Sequence, residues 1–191
     1  MPHHPADRFS PSLSVTSLFS NLVTRPTGRA IRTGVESQLA EMEPRPSLCL
    51  SILDFSQVRI LDYSCADEIV AKLLLRFLGE ERPTEAYFLV RGAQEHHVEA
   101  IEAVLERHNL LLVTQDEEGG VHLLGAANPV HRVTWDELLR RGRAGVPELS
   151  HGTGLSPDAI SATLVGFTAQ RVVVTHGDGT VSPLSSLLGS P

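Results

Sequence analysis

Between Leu48 and Leu78 the chain stays apolar while its hydrophobic period changes, and that change restricts what it can fold into. The stretch LCLSILDFSQV is dense in large apolar residues, as in a strand covered on both faces. Beyond Asp62, residues Ala66, Ile69, Val70, Leu73, Leu74 and Phe77 recur at helical intervals and form one broad apolar face. The pattern predicts a strand over 48–54 that turns into a helix over 64–79. Ser64 suits the start of that helix, and Asp67 and Glu68 fall where the helix dipole favours acids. Asp54 and Asp62 lie near the strand's exit.

Flanking segments supply what such a strand must pair with. From Thr24, apolar Ile31, Val35 and Leu39 sit at fourfold spacing, predicting a helix that ends by Pro44 and Pro46. Downstream come a strand over 86–91, a helix over 94–108, a strand over 110–115, and a turn at Glu117 to Gly120 leading into the strand VHLLG. Alternating strands and helices predict an α/β fold, a sheet flanked by helices. Residues 1–16, rich in Pro, Ser and His without periodicity, read as a flexible tail. After Asn128-Pro129 the pattern gives three helices, the third capped by Ser156 with Pro157 behind it, and then a hairpin turning at Gly177-Asp178-Gly179. That is the order of a small winged-helix-like domain. The predicted division is therefore a first domain over 17–127 and a second over 128–191.

Charge and composition exclude several classes of function. The net charge is -7, with 11 Lys+Arg against 18 Asp+Glu in residues 1–130 and 5 against 5 in residues 131–191. No apolar run reaches the roughly 18 residues of a membrane span, and the first residues lack a basic flank and apolar core. A cytoplasmic protein without membrane association is expected. Cys49 and Cys65 read as buried free thiols. His96 and His97 are adjacent and diverge on a helix, and no HExxH, paired CxxC or nucleophile triad occurs. No metal, cofactor or catalysis is expected.

The residues LDFSQVRILDYSCADEIVAKLL resemble the core motif of STAS domains, the sulfate-transporter and anti-sigma-factor-antagonist family. They are closer still to a STAS-like family of unknown function, DUF4325, through Leu53-Asp54-Phe55 and Ala66-Asp67-Glu68. The resemblance covers about residues 20–125, including the Arg-containing helix upstream and the later strand-helix-strand order. It implies a four- or five-stranded sheet flanked by helices in a non-enzymatic regulator of bacterial signalling that binds proteins or nucleotides. In the regulator branch a partner kinase phosphorylates the second Ser of the turn, and Ser64 takes the matching place. Tyr63 and Cys65 depart from the small residues usual there.

Two readings stay open at each remaining feature. Ser64 is either a phosphate acceptor or a plain capping serine. Arg25, Arg29 and Arg32 recur at helical spacing, as a basic stripe for an acidic partner or as a face that is solvated or paired with the domain's own carboxylates. In the third C-terminal helix there is no Lys or Arg, so DNA affinity would fall to Arg140, Arg141, Arg143 and Arg171. Ile160, Leu164, Val165 and Phe167 instead include a face that packs onto the sheet or a second subunit. The leading expectation is a regulatory or scaffold protein that binds a partner, such as a kinase, through Asp54, Asp62, Ser64, Asp67 and Glu68. The alternative is a DNA-binding transcriptional regulator, and a homodimer is compatible with either.

Overall fold

The computed structural model describes residues 11–42 and 48–189. Five strands, β1 (Ser12–Leu22), β2 (Cys49–Leu61), β3 (Ala86–Arg91), β4 (Leu111–Gln115) and β5 (Val121–Gly125), form one sheet in the order β1-β2-β3-β4-β5. The first four are parallel and β5 returns antiparallel to β4. Each parallel step needs a helical crossover. The first is α1 (Arg25–Ala40); the second is α2 (Tyr63–Ala66), a π-helical segment (Asp67–Lys72) and α3 (Leu73–Leu78) in direct succession; the third is α4 (Glu95–Arg107).

The alternation of side chains sorts each strand between two cores. Cys49, Leu53, Phe55, Phe88, Val90, Leu112 and Leu124 pack with the three crossovers. Leu50, Ile52, Leu89, Leu111, Val113 and Leu123 point the other way, into a cluster with Trp135, Leu138, Leu149, Ile160, Leu164 and Phe167. These last residues belong to α5 (Pro129–Arg141), α6 (Val146–Thr153) and α7 (Pro157–Ala169). The short hairpin of β6 (Val173–Thr175) and β7 (Val181–Pro183) follows, and Ala144 bridges to Val181 beside it. The near-continuous apolar strands are thus explained by cover on both faces. Of the packing face expected on α7, Ile160, Leu164 and Phe167 are buried, whereas Val165 is 68% exposed. Polar links reinforce the seam: the Gln170 side chain accepts from Leu111 N and donates to Asn109 O, and Arg171 donates to Ala86 O.

The largest departure from expectation is β1. Part of the presumed tail, Ser12 to Thr16, is strand, paired with β2 from Ser12↔Cys49 to Leu22↔Leu61; the tail's first ten residues lie outside the described ones. Its serines hide the alternation, because Ser14 and Thr16 sit on the α1 side, where Gln38 hydrogen-bonds both. The same pairing explains why β2 runs on to Leu61 rather than stopping at Asp54. Pro44 and Pro46 lie outside the described residues, and α1 ends at Ala40. Among the described residues no helix is long and apolar enough to cross a membrane.

A sheet and a helical module that share one core should unfold together. Fluorescence of Trp135, the single tryptophan, and far-UV circular dichroism are expected to give coincident denaturation midpoints. Phe167→Ala is expected to lower stability by about 3–5 kcal/mol in both signals. Separate midpoints would contradict the shared core.

Candidate functional site

The strand-to-helix junction is organised by Asp62. It is the N-cap of α2, its Oδ1 accepting from Cys65 N at 2.7 Å and from Ser64 Oγ at 2.9 Å, while Oδ2 accepts from Thr24 N at 3.0 Å. One carboxylate therefore clasps the starts of two helices at the ends of neighbouring parallel strands. Thr24 is held at φ 75°, a strained conformation for a β-branched residue. Burial opposes ionisation of Asp62, but the backbone donors Thr24 and Cys65 outweigh it and hold its pKa below the ordinary value. The cap is thus Asp62 rather than Ser64, and the helix begins one residue earlier than expected, at Tyr63.

Just behind the turn lies a buried ion cluster. Glu68 is fully buried and Asp67 is 7% exposed. Arg25 Nη1 reaches Asp67 Oδ2 at 2.9 Å and Glu68 Oε1 at 3.0 Å, and Arg32 Nε reaches Glu68 Oε2 at 3.3 Å. Lys72 Nζ donates to Glu68 from one turn along, and His108 Nε2 lies 2.8 Å from Asp67 Oδ1. Burial again opposes the charged forms. Hydrogen bonds from Lys72 and Arg25 nevertheless hold Glu68 below its ordinary value, and those from Arg25 and His108 do the same for Asp67.

Close approach of α1 makes this possible. A Cβ on Gly28 would meet Glu68 Cβ at 2.9 Å and Cys65 Cα and O at 3.0 Å, so α1 crosses α2 where it has no side chain. The π-helical segment Asp67–Lys72 spans both carboxylates and the lysine, a local widening often found at functional positions. Burial, with the negative charges of Asp62 and Glu68, pushes the Cys65 thiol up to about 11, the opposite of a reactive thiolate.

The residues singled out in the sequence separate into distinct places. Asp67 and Glu68, expected on a partner-facing surface, are interior, because the carboxylates of Ala66-Asp67-Glu68 point at α1 and α4. Asp54 lies on the opposite face of the sheet and pairs with Arg91, its register partner on β3, at 2.6 Å. The arginine stripe resolves into pairing with the domain's own carboxylates: Arg25 and Arg32 hold the cluster, Arg32 also reaches Glu36 at 2.7 Å, and Arg29 is exposed. Arg25 and Arg32 flank the buried stripe of Gly28, Val35 and Leu39. Gly28, Lys72, Arg107 and His108 did not stand out in the sequence. Lys72 carried a signal, being the one lysine and four residues after Glu68.

What remains accessible is the turn itself. Tyr63 is 55% exposed, and Ser64 is partly exposed. Together with Arg25, Ala103, Val104, Arg107 and the edge of Asp67 they line an open groove between α1, the turn and α4. The four arginines named for DNA contact are all engaged with acids. Arg140 and Arg141 pair with Glu137, Arg143 with Asp178 at 2.7 Å, and Arg171 with Glu85 while stacking over Tyr87. The sequence matches no protein-family model and no curated protein.

Two outcomes test the cluster. Glu68→Gln removes the buried counter-charge of the partly exposed Arg25, Arg32 and Lys72 and is expected to lower stability in chemical denaturation by about 1.5–3 kcal/mol, whereas exposed Glu95→Gln changes little. The pH dependence follows from the depressed carboxyls. Their contribution is complete above their ordinary values, 3.8 for Asp67 and 4.5 for Glu68, and is lost as pH falls through the lower folded-state values. Acid unfolding monitored at Trp135 should steepen below about pH 4, and Glu68→Gln should flatten that limb.

Proposed function

We propose that this chain is a STAS-like regulatory protein that works without catalysis, docking a protein partner on the groove beside Tyr63 and Ser64. The observation that carries the reading is the contrast at the junction. Asp62, Asp67 and Glu68 are committed to internal bonds, while the neighbouring Tyr63 is left half exposed beside Arg25 and Arg107. A large aromatic next to arginines, on a rigidly held helix start, is the composition of an interface anchor. The resemblance of Leu53-Asp54-Phe55 and Ala66-Asp67-Glu68 to the STAS-like motif supports the same place. A cytoplasmic signalling protein, a kinase acting on Ser64 among them, is the class of partner this reading implies.

The C-terminal helices read as winged-helix-like, with the Ala144–Val181 bridge beside the hairpin in support. In this reading they cover the sheet rather than bind DNA. Arg140, Arg141, Arg143 and Arg171 are paired with acids, and the exposed positions of α7, including Asp158, Ser161, Ala162, Val165 and Thr168, carry no cation with which to displace counterions.

Tagged protein recovered from its native host tests the groove. Wild type and Arg140→Ala are expected to retain a common partner that Tyr63→Ala and Arg107→Glu lose by about tenfold or more. Equal recovery with all four proteins would refute the groove. On random duplex DNA, tight binding at physiological salt that falls steeply as salt rises would favour the DNA-binding regulator instead.

A further inference from the structure

We propose that two copies of this chain join edge to edge through β1, antiparallel about a twofold axis at Thr16, to make a continuous ten-stranded sheet. β1 is the outer strand of the sheet, and among the described residues no strand pairs with its far side. Its inner side is fixed by the register Ser12↔Cys49 and the bond from Ser12 N to Leu48 O. Alternation then turns the N–H and C=O groups of Leu13, Val15, Ser17 and Phe19 outward, an unpaired ladder ready for another strand.

The same four residues present their side chains on the face away from α1. Leu13 and Val15 pair with Leu50 and Ile52, which are buried under the C-terminal helices. The apolar face thus continues past its cover, leaving Leu13 49%, Val15 46% and Phe19 62% exposed.

Natural edge strands are blunted by charge, proline or shortness. From Ser12 to Leu22 the strand has no ionisable residue and no proline, in a chain of net charge -7. A second copy can therefore approach along a neutral line. The opposite edge differs: β5 has five residues, and Arg132 Nη1 approaches Leu123 O there.

The strand is also its own complement. Pro11, which lacks an N–H, bounds the usable ladder on one side, and Ser20 at φ 63° bounds it on the other. An antiparallel copy centred on Thr16 uses all four outward residues, setting Leu13 against Phe19 of the other copy and Val15 against Ser17. Apolar side chains left exposed in one chain then cover each other. The ladder is short relative to a standard interface, so the affinity should lie on the order of micromolar.

Sedimentation of the full chain across micromolar concentrations should show the 20.7 kDa monomer converting to twice that mass. Phe19→Glu, at an exposed position, should leave the fold intact by circular dichroism and weaken dimerisation by about tenfold or more. Cysteine pairing reads the register, since the native Cys49 and Cys65 are buried. At the axis Thr16→Cys faces its own copy with Cα atoms about 4.5 Å apart and should form a disulfide-linked dimer under mild oxidation. Leu13→Cys, about 20 Å from its copy in this register, should not. A monomer at every concentration, a dimer indifferent to Phe19→Glu, or linking of Leu13→Cys as readily as Thr16→Cys would each overturn the proposal.

Discussion

A carboxylate as deeply buried as Glu68 must find cations or stay protonated, and the arrangement of the N-terminal half follows from how it finds them. Arg25 and Arg32 both come from α1, so that helix must run alongside α2 and the π-helical segment. Gly28 sits between the two arginines in sequence and is the point where the helices touch. With α1 fixed in this way, β1 and β2 become adjacent parallel strands, and their helix starts fall close enough for Asp62 to bind both. The strain at Thr24 is tolerated because the surrounding bonds over-determine it. Breaking the ion cluster would release several features at once, which is why its weight exceeds that of a surface ion pair.

On the opposite face the requirement is apolar. Leu50, Ile52, Leu89, Leu111, Val113 and Leu123 need a cover, and α5 to α7 provide it through Trp135, Ile160, Leu164 and Phe167. Polar groups of the C-terminal module also serve that attachment: Gln170 and Arg171 bind the sheet directly, while Arg140, Arg141 and Arg143 are tied to acids of their own module. Among the places the two layers leave open are the Tyr63 groove at one end of the sheet and the β1 edge at its side.

Much of this was legible because burial leaves periodicity in a sequence. The strands at 86–91 and 121–125 and the Ser156 cap agree with expectation, being apolar runs or capping residues that act locally. β1 was hidden because serines and threonine occupy its inner face, so a strand half satisfied by Gln38 reads as a polar tail. Asp67 and Glu68 were misplaced for a different reason. Acids at a helix start normally face water, and only the three-dimensional approach of Arg25 and Arg32, some forty residues earlier, turns them inward. Asp54 was grouped with them by sequence proximity, although side-chain alternation along β2 puts it on the other face.

The central claim is that Glu68 and the α1 arginines act as one unit that fixes the turn. A double-mutant cycle on Arg25→Ala and Glu68→Gln, read as unfolding free energy, tests it most directly. The account predicts coupling, with the double variant less destabilised than the sum of the two single ones. Additive losses would contradict it, since they would mean that Arg25 and Glu68 contribute independently and that the cluster does not hold α1 against the turn.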